Sequence, residues 1–482
     1  MNLLAAAVLL AFSSGRWVVS LAAWLSPLFL LRFVRGGGAA SRLTIAAALL
    51  YAIGCFTYWG IVPVPVPAYF AILLTLTLPG ALPYVTDRLI RRGEDGFEAT
   101  LIFPSTWVVT EYLISRTSPY GTWGSIAYTQ VDHLPLIQSV AVTGLWGIAF
   151  LMAWTASVAN WVWGCGFEWT RVRSGVLAWA GTLATVLLVG GARLALAPPG
   201  SPTLRVATFT VPTPERLSPW DLIQERREGS ALAAVRADLR THHDSLFAAV
   251  RREAAAGARL VVWSEANAFV LADEAPAFEQ RAAAVAREAG VYLIIGLAVF
   301  TPGQGYYENL FVAFDPSGAR LARYHKARPV PGDPERGADA AIPVFETSFG
   351  RIAGAVCFDG DFVDLMARAG REHADLLVIP SSDWRAIDPI HTRMALLRGV
   401  ENGCAVVRPT NKGLSAAADH QGRVLATADF FRSRPNVMVA QVPVQGVRTI
   451  YARYPNLMVY FCALQLLLSV VRRFKRRPQS GA

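Results

Sequence analysis

The chain has 482 residues, 53% of them hydrophobic, with mean hydropathy +0.36 and a formal net charge of +10. So much apolar content excludes an ordinary water-soluble domain and predicts membrane spans. Residues 198–453 hold 29 Lys+Arg against 28 Asp+Glu, so the excess positive charge lies in the apolar parts and does not form a nucleic-acid-binding face.

Long uncharged runs predict eight membrane helices, at roughly 2–15, 17–31, 43–60, 66–86, 98–115, 136–163, 175–197 and 454–471. The first run lacks the basic start of a signal peptide, and a second follows almost at once, so it reads as a span. Val62 to Pro67 alternates Val and Pro and reads as a stiff extended loop. Glu111 lies inside a span, where an acid is costly and marks either interfacial packing or function. Ser118 to Gln130 is rich in Gly and aromatics, a composition that suits the headgroup layer.

Eight spans put both termini on one side of the membrane. Arg32, Arg35, Arg42, Arg88, Arg91, Arg92, Arg171, Arg173, Arg472, Arg473, Lys475, Arg476 and Arg477 fall on that side, against Arg16, Arg116 and Arg193 on the other. Cytoplasmic loops carry such an excess, so the termini are expected in the cytoplasm and residues 198–453 outside it.

After the linker Pro198 to Thr203 the pattern changes to short strands alternating with helices. Strands are expected at 204–210, 260–264, 291–295, 310–314, 319–324, 352–356, 376–379 and 405–408. Helices are expected at 230–256, 276–289, 361–373 and 391–402, and a second hairpin spans 413–426. Alternation with hairpins predicts an α/β sandwich, its helices covering the sheets. The segments 266–275 and 384–390 read as lids or plain connections. His242 and His243 are adjacent on a helix and point to different faces, which favours a surface position over a metal site. Of five cysteines only Cys357 and Cys404 fall in this domain, enough for one disulfide but not for a framework.

Three residues stand at or just after strand ends: Glu265, Lys326 and Cys357. A thiol is only a few per cent ionised near neutral pH and needs a base to attack. Glu265 supplies one, and Lys326 with the backbone N–H after the cysteine would stabilise an oxyanion. Taken singly, each of these residues reads as easily as surface charge or a small buried hydrophobe.

Glu265 after Val-Val-Trp-Ser, Lys326 in Arg-Tyr-His-Lys and Cys357 in Ala-Val-Cys resemble the Glu-Lys-Cys triad of the nitrilase, or carbon–nitrogen hydrolase, superfamily. Gly15-Arg-Trp, Trp107-Val-Val-Thr-Glu111, Gly121-Thr-Trp-Gly-Ser125, Gly144-Leu-Trp-Gly147, Asn309, Arg398-Gly-Val-Glu-Asn402 and Arg408-Pro-Thr-Asn-Lys-Gly413 narrow the likeness to the apolipoprotein N-acyltransferase family, over nearly the whole chain.

The resemblance implies a nitrilase-like αββα sandwich at 198–453 on the periplasmic side of a bacterial inner membrane. Helices 1–7 lie within 1–197, and the eighth, with a basic tail, within 454–482. It implies a phospholipid acyl donor, a diacylglyceryl-lipoprotein acceptor, a monomer, and no cofactor, metal or nucleic acid. Phe358, Asp359, Asp333, Trp384 and Asn309 become supporting residues for the oxyanion or substrate. The chain departs from the family pattern at Cys357-Phe-Asp359, where Cys-Tyr-Glu is usual, at Asp333, where the loop after the lysine carries Glu, and at Ser381-Ser-Asp-Trp384, where Asn-Asp-Ala-Trp is usual. The alternatives are a membrane-tethered amidase using water, and an inactive relative serving as an assembly subunit.

Overall fold

The computed structural model describes residues 1–91, 96–200, 202–212, 229–338, 340–433 and 436–475; Arg92, Arg476 and Arg477 lie outside them. It divides into two compact units, Met1–Ala197 with Tyr454–Ala482, and Pro198–Arg453.

The first unit is helical. Among the described residues, four helices are long and apolar enough to cross a membrane: Ala39–Thr57, Val66–Ile90, Leu145–Gly164 and Trp169–Leu196. Asn2–Ala11, Ser20–Val34 and Leu134–Thr143 are apolar but shorter, Ile102–Thr117 has 16 residues, and Leu457–Lys475 has 19. The single span expected at 136–163 is interrupted at Gly144, whose φ of +62° ends one short helix before Leu145 begins the next. The Pro-rich stretch is also less extended than expected. Val66 is already helical, because Pro67 in the first turn sacrifices no helical hydrogen bond.

Leu30, Leu31, Val34, Tyr84, Phe103 and Ala153 form part of an apolar core in this unit. Beside it the Arg35 guanidinium grips Asp87 through two bonds of 2.9 and 2.7 Å and reaches Ser157 Oγ at 3.3 Å. Glu111 accepts from Trp107 Nε1, Ser125 Oγ and the Ile126 N–H at 2.9, 2.7 and 3.2 Å, so its carboxylate pins the Gly-rich loop. Leu177, Leu188, Val189 and Leu196 stand exposed on Trp169–Leu196, as suits a helix with lipid for solvent.

The second unit is two sheets packed face to face. The first contains β1 (Thr203–Phe209), β2 (Leu260–Trp263), β3 (Ala268–Leu271), β4 (Tyr292–Phe300), β5 (Tyr307–Phe314), β6 (Arg320–His325) and β15 (Val437–Pro443), in the order β15-β1-β2-β4-β5-β6 with β3 paired to β4. The second contains β7 (Val344–Thr347), β8 (Gly350–Gly354), β9 (Leu376–Val378), β11 (Ala405–Arg408), β13 (Leu414–Ala418) and β14 (Val424–Asp429), in the order β14-β13-β11-β9-β8-β7. A two-residue parallel pair, β10 (Ser381–Ser382) and β12 (Thr410–Asn411), forms a small separate sheet.

Period-two alternation sorts the side chains into layers. Leu204, Val206, Leu260 and Val262 meet Ile352, Leu376 and Val406 between the sheets. Ala207, Phe209, Val261 and Trp263 face outward onto Phe247 and Val250 of helix Gly229–Ala255 and Phe278 of helix Ala275–Ala289. A Cβ on Gly354 would come within 2.5 Å of the Phe311 ring, so the sheets approach closely there only because β8 carries no side chain at that point. The first strand pairs antiparallel with the last, Thr203 opposite Pro443.

Two expectations fail in this unit. His242 and His243 are buried, not surface residues: their Nε2 atoms lie 2.7 and 2.8 Å from the Asn267 and Phe269 carbonyls. β3 pairs with β4 alone, so side chains meet carbonyls that no further strand reaches. The segment 266–275 therefore contains a buried strand and is not a lid.

Candidate active site

The C-terminal ends of β2, β6, β8 and β9 converge on one group of side chains. Glu265 follows β2, and its N–H donates to Ser381 O at 3.3 Å. A Cβ at Gly296 would sit 2.1 Å from Ser264 O and 2.9 Å from Glu265 Cα, so β4 must offer glycine there to let the acid's backbone close in. Ala266 and Cys357 both have φ of +47°, a left-handed conformation that costs a non-glycine residue about 1–3 kcal/mol and is retained where the fold needs a side chain aimed in one direction.

Lys326 follows β6, with its N–H donating to Asn309 O at 2.9 Å. Its ammonium donates to Glu265 Oε1 at 2.8 Å and forms an ion pair with Glu335 Oε2 at 2.7 Å, and all three side chains are at most 4% exposed. Asn309 Nδ2 donates to Glu265 Oε1 and Glu335 Oε1, each at 2.7 Å, and Tyr307 OH donates to Glu335 Oε1 at 2.7 Å. Burial alone would discharge Lys326, but Glu265 and Glu335 outweigh it and hold the ammonium charged. Burial also works against an ionised Glu335, and Lys326 overcomes it, keeping that carboxyl below its usual range.

Cys357 opens a short 3₁₀ turn, Cys357–Asp361, with its N–H on Pro380 O at 2.9 Å. Its Sγ lies 3.6 Å from Ser382 O. Burial first, then the negative charge of Glu265, push the thiol up to about 11, while His391 and Lys326 pull it down. The resting group is a thiol that must lose its proton as it attacks.

The supporting residues divide. Asn309 bridges the two glutamates. Asp359 is fully buried, accepting from the Val356 N–H at 3.0 Å, Tyr324 OH at 2.9 Å and the Arg328 N–H at 2.8 Å. It thereby fastens the cysteine turn to the segment after Lys326, and burial raises its carboxyl to about 7. Phe358 packs edge-on against Phe362 with ring centroids 5.4 Å apart. Trp384 is half-buried in the turn before helix Ile390–Asn402. Asp333 sits on a turn at the surface, where partial burial and then the charge of Glu335 raise its carboxyl to about 6, and the loop acid paired directly with Lys326 is Glu335, two residues on.

Sequence reasoning also missed a second charged group beside the thiol. His391 Nδ1 lies 2.9 Å from Asp383 Oδ1, and its Nε2 lies 3.3 Å from Asp361 Oδ2. Arg408 donates to both oxygens of Asp383, at 3.0 and 2.9 Å. Cys357 Sγ, His391 and Asp383 place their donor atoms within 4.8 Å of one another, a set whose types would suit a transition metal. The guanidinium already neutralises Asp383, so that carboxylate is committed to Arg408.

Two family models match the chain: the apolipoprotein N-acyltransferase N-terminal domain at residues 4–158, and the carbon–nitrogen hydrolase model at residues 224–452. Among curated relatives, the apolipoprotein N-acyltransferase of Geobacter metallireducens is 28% identical over 436 residues, covering 82% of this chain and 78% of its own. That of Rhodopseudomonas palustris is 28% identical over 451 residues, covering 86% and 79%. That of Pseudomonas syringae pv. tomato is 27% identical over 385 residues, covering 73% and 70%.

Over most of its length the chain is similar to the apolipoprotein N-acyltransferases. Against the family pattern, Asp359 replaces the glutamate that usually follows Cys-Tyr, and the shorter acid still reaches three donors.

Proposed function

We propose that this chain transfers an acyl group from a phospholipid to the N-terminal amine of a diacylglyceryl-cysteine lipoprotein, through a thioester on Cys357. The observation that carries the proposal is the buried Lys326 ammonium shared by Glu265 and Glu335 beside a thiol in a strained turn. Two carboxylates around one ammonium leave a surplus negative charge, which a proton would relieve. With Oε1 of Glu265 held by Lys326 and Asn309, Oε2 is the oxygen that takes the thiol proton.

As sulfur attacks the ester carbonyl, Lys326 and the Phe358 backbone N–H bear the oxyanion. The C–O bond breaks, and the lysophospholipid alkoxide leaves with the proton from Glu265. In the second half the lipoprotein amine attacks the thioester, its proton passes to Glu265, and the C–S bond breaks. Both substrates are lipids, costly to extract into water, which accounts for a helical unit with a lipid-facing exterior. We place residues 198–453 on the periplasmic side of the inner membrane, with eight helices spanning it and the chain acting as a monomer. The excess of arginine on the opposite loops supports that orientation.

The test is complementation of a strain lacking its own N-acyltransferase, with mass spectrometry of lipoprotein N-termini. N-acylated termini and released lysophospholipid are expected. Free fatty acid with unmodified termini would point to hydrolysis instead and overturn the proposal.

A further inference from the structure

His391 lies beside the nucleophile on helix Ile390–Asn402, yet neither proton transfer nor the oxyanion needs it. Both its ring nitrogens face carboxylates, Asp383 at 2.9 Å and Asp361 at 3.3 Å, and its side chain is 4% exposed. Asp383 Oδ1 accepts from Arg408 Nη2 and also approaches His391 Nδ1. Nδ1 lies between Asp383 Oδ1 at 2.9 Å and Arg408 Nη2 at 3.0 Å, and a proton on it makes the contact with Asp383 a charge-assisted hydrogen bond. The second nitrogen, Nε2, lies 3.3 Å from Asp361 Oδ2, and a proton on each nitrogen would make the ring an imidazolium. Asp361, Asp383, Arg408 and His391 then sum to zero charge, which a dry interior tolerates.

We propose that His391 is a permanently charged imidazolium that stabilises the Cys357 thiolate whenever acyl transfer uncovers it. The inference rests on Cys357 being the nucleophile. The charged groups facing the pair are Glu265 and Lys326 on one side and Asp361, Asp383 and Arg408 on the other. Lys326 is shared by two glutamates and engaged with the oxyanion, so sulfur needs a different cation when it leaves the thioester as thiolate. A ring clamped from both sides cannot act as a base, which separates this arrangement from a cysteine–histidine couple. The electrostatics agree: His391 is desolvated, yet Asp361 and Asp383 hold it well above the usual imidazole range, and it in turn lowers the thiol.

The experiment uses the full chain in detergent micelles. Iodoacetamide alkylation of Cys357 is followed by mass spectrometry of its peptide from pH 6 to 9. His391→Asn should slow alkylation at pH 8 by about threefold or more, because an opposite charge within ~4–6 Å is lost. Asp361→Asn keeps the ring but removes one clamp, so His391 falls toward its ordinary range. Below that range the cation persists, and above it the cation is lost, so the ratio of wild-type to Asp361→Asn rates should rise with pH. A purely packing role gives a ratio flat with pH. Wild-type protein that forms acyl-Cys357 from phospholipid, paired with a His391→Asn variant alkylated at the wild-type rate at every pH, overturns the role of His391 alone. Wild-type protein that forms no acyl-Cys357 sinks the assignment of the nucleophile itself.

Discussion

Each unit buries a carboxylate against a cation, and the two arrangements differ in balance. In the helical unit Arg35 and Asp87 match one to one, with two parallel bonds and Ser157 alongside. In the sandwich Lys326 is outnumbered by Glu265 and Glu335. A matched pair has nothing left to exchange and serves to fasten helices. An outnumbered cation leaves one carboxylate ready for a proton, and such surplus marks reactive positions.

The largest effect expected bears on the reactive side alone. Cys357→Ala should abolish both acyl-enzyme and lysophospholipid, with little change in melting temperature. Acyl-enzyme found on the variant would mean another nucleophile.

The comparison is sharpest when the two cations are removed in parallel. Lys326→Met and Arg35→Met each strand buried carboxylate charge, so each should destabilise its unit by about 3–5 kcal/mol. Turnover per folded molecule should vanish only in the first. Thermal unfolding in micelles and lysophospholipid release read the two outcomes, and equal losses of turnover would erase the distinction.

Smaller still is Glu335→Gln, which keeps shape and removes the surplus charge. Turnover should fall roughly a hundredfold through misplacement of Lys326, while Asp333→Asn on the exposed turn should change it little. The reverse order would restore Asp333 as the loop acid.

The mildest test concerns Asp359. Its folded carboxyl titrates near 7, above the ~3.9 of an unfolded aspartate. Protonation therefore favours the fold, a contribution complete below about pH 4 and lost as pH rises through 7. Asp359→Asn should flatten the dependence of melting temperature on pH across that window, and an unchanged slope would place the titrating group elsewhere.

The alternating strands of the sandwich were legible in the sequence because burial on both faces leaves unbroken apolar runs such as Leu260–Trp263. Glu265, Lys326 and Cys357 stood out as chemistry at strand ends. β3, β7 and β15 were not legible: β3 and β7 have four residues each, too few to show a period, and β15 owes its pairing to β1, at the far end of the domain. Glu335 was hidden by loop geometry between prolines, and His391 by the remoteness of Asp361 and Arg408 along the chain. In the helical unit hydropathy located the apolar runs, but not the break at Gly144, which a single backbone angle decides.

The antiparallel pairing of Thr203 with Pro443 means that the polypeptide enters and leaves the sandwich at one spot. Such a domain is a cassette on a double-stranded stalk. A few residues would suffice to close its two ends into a ring.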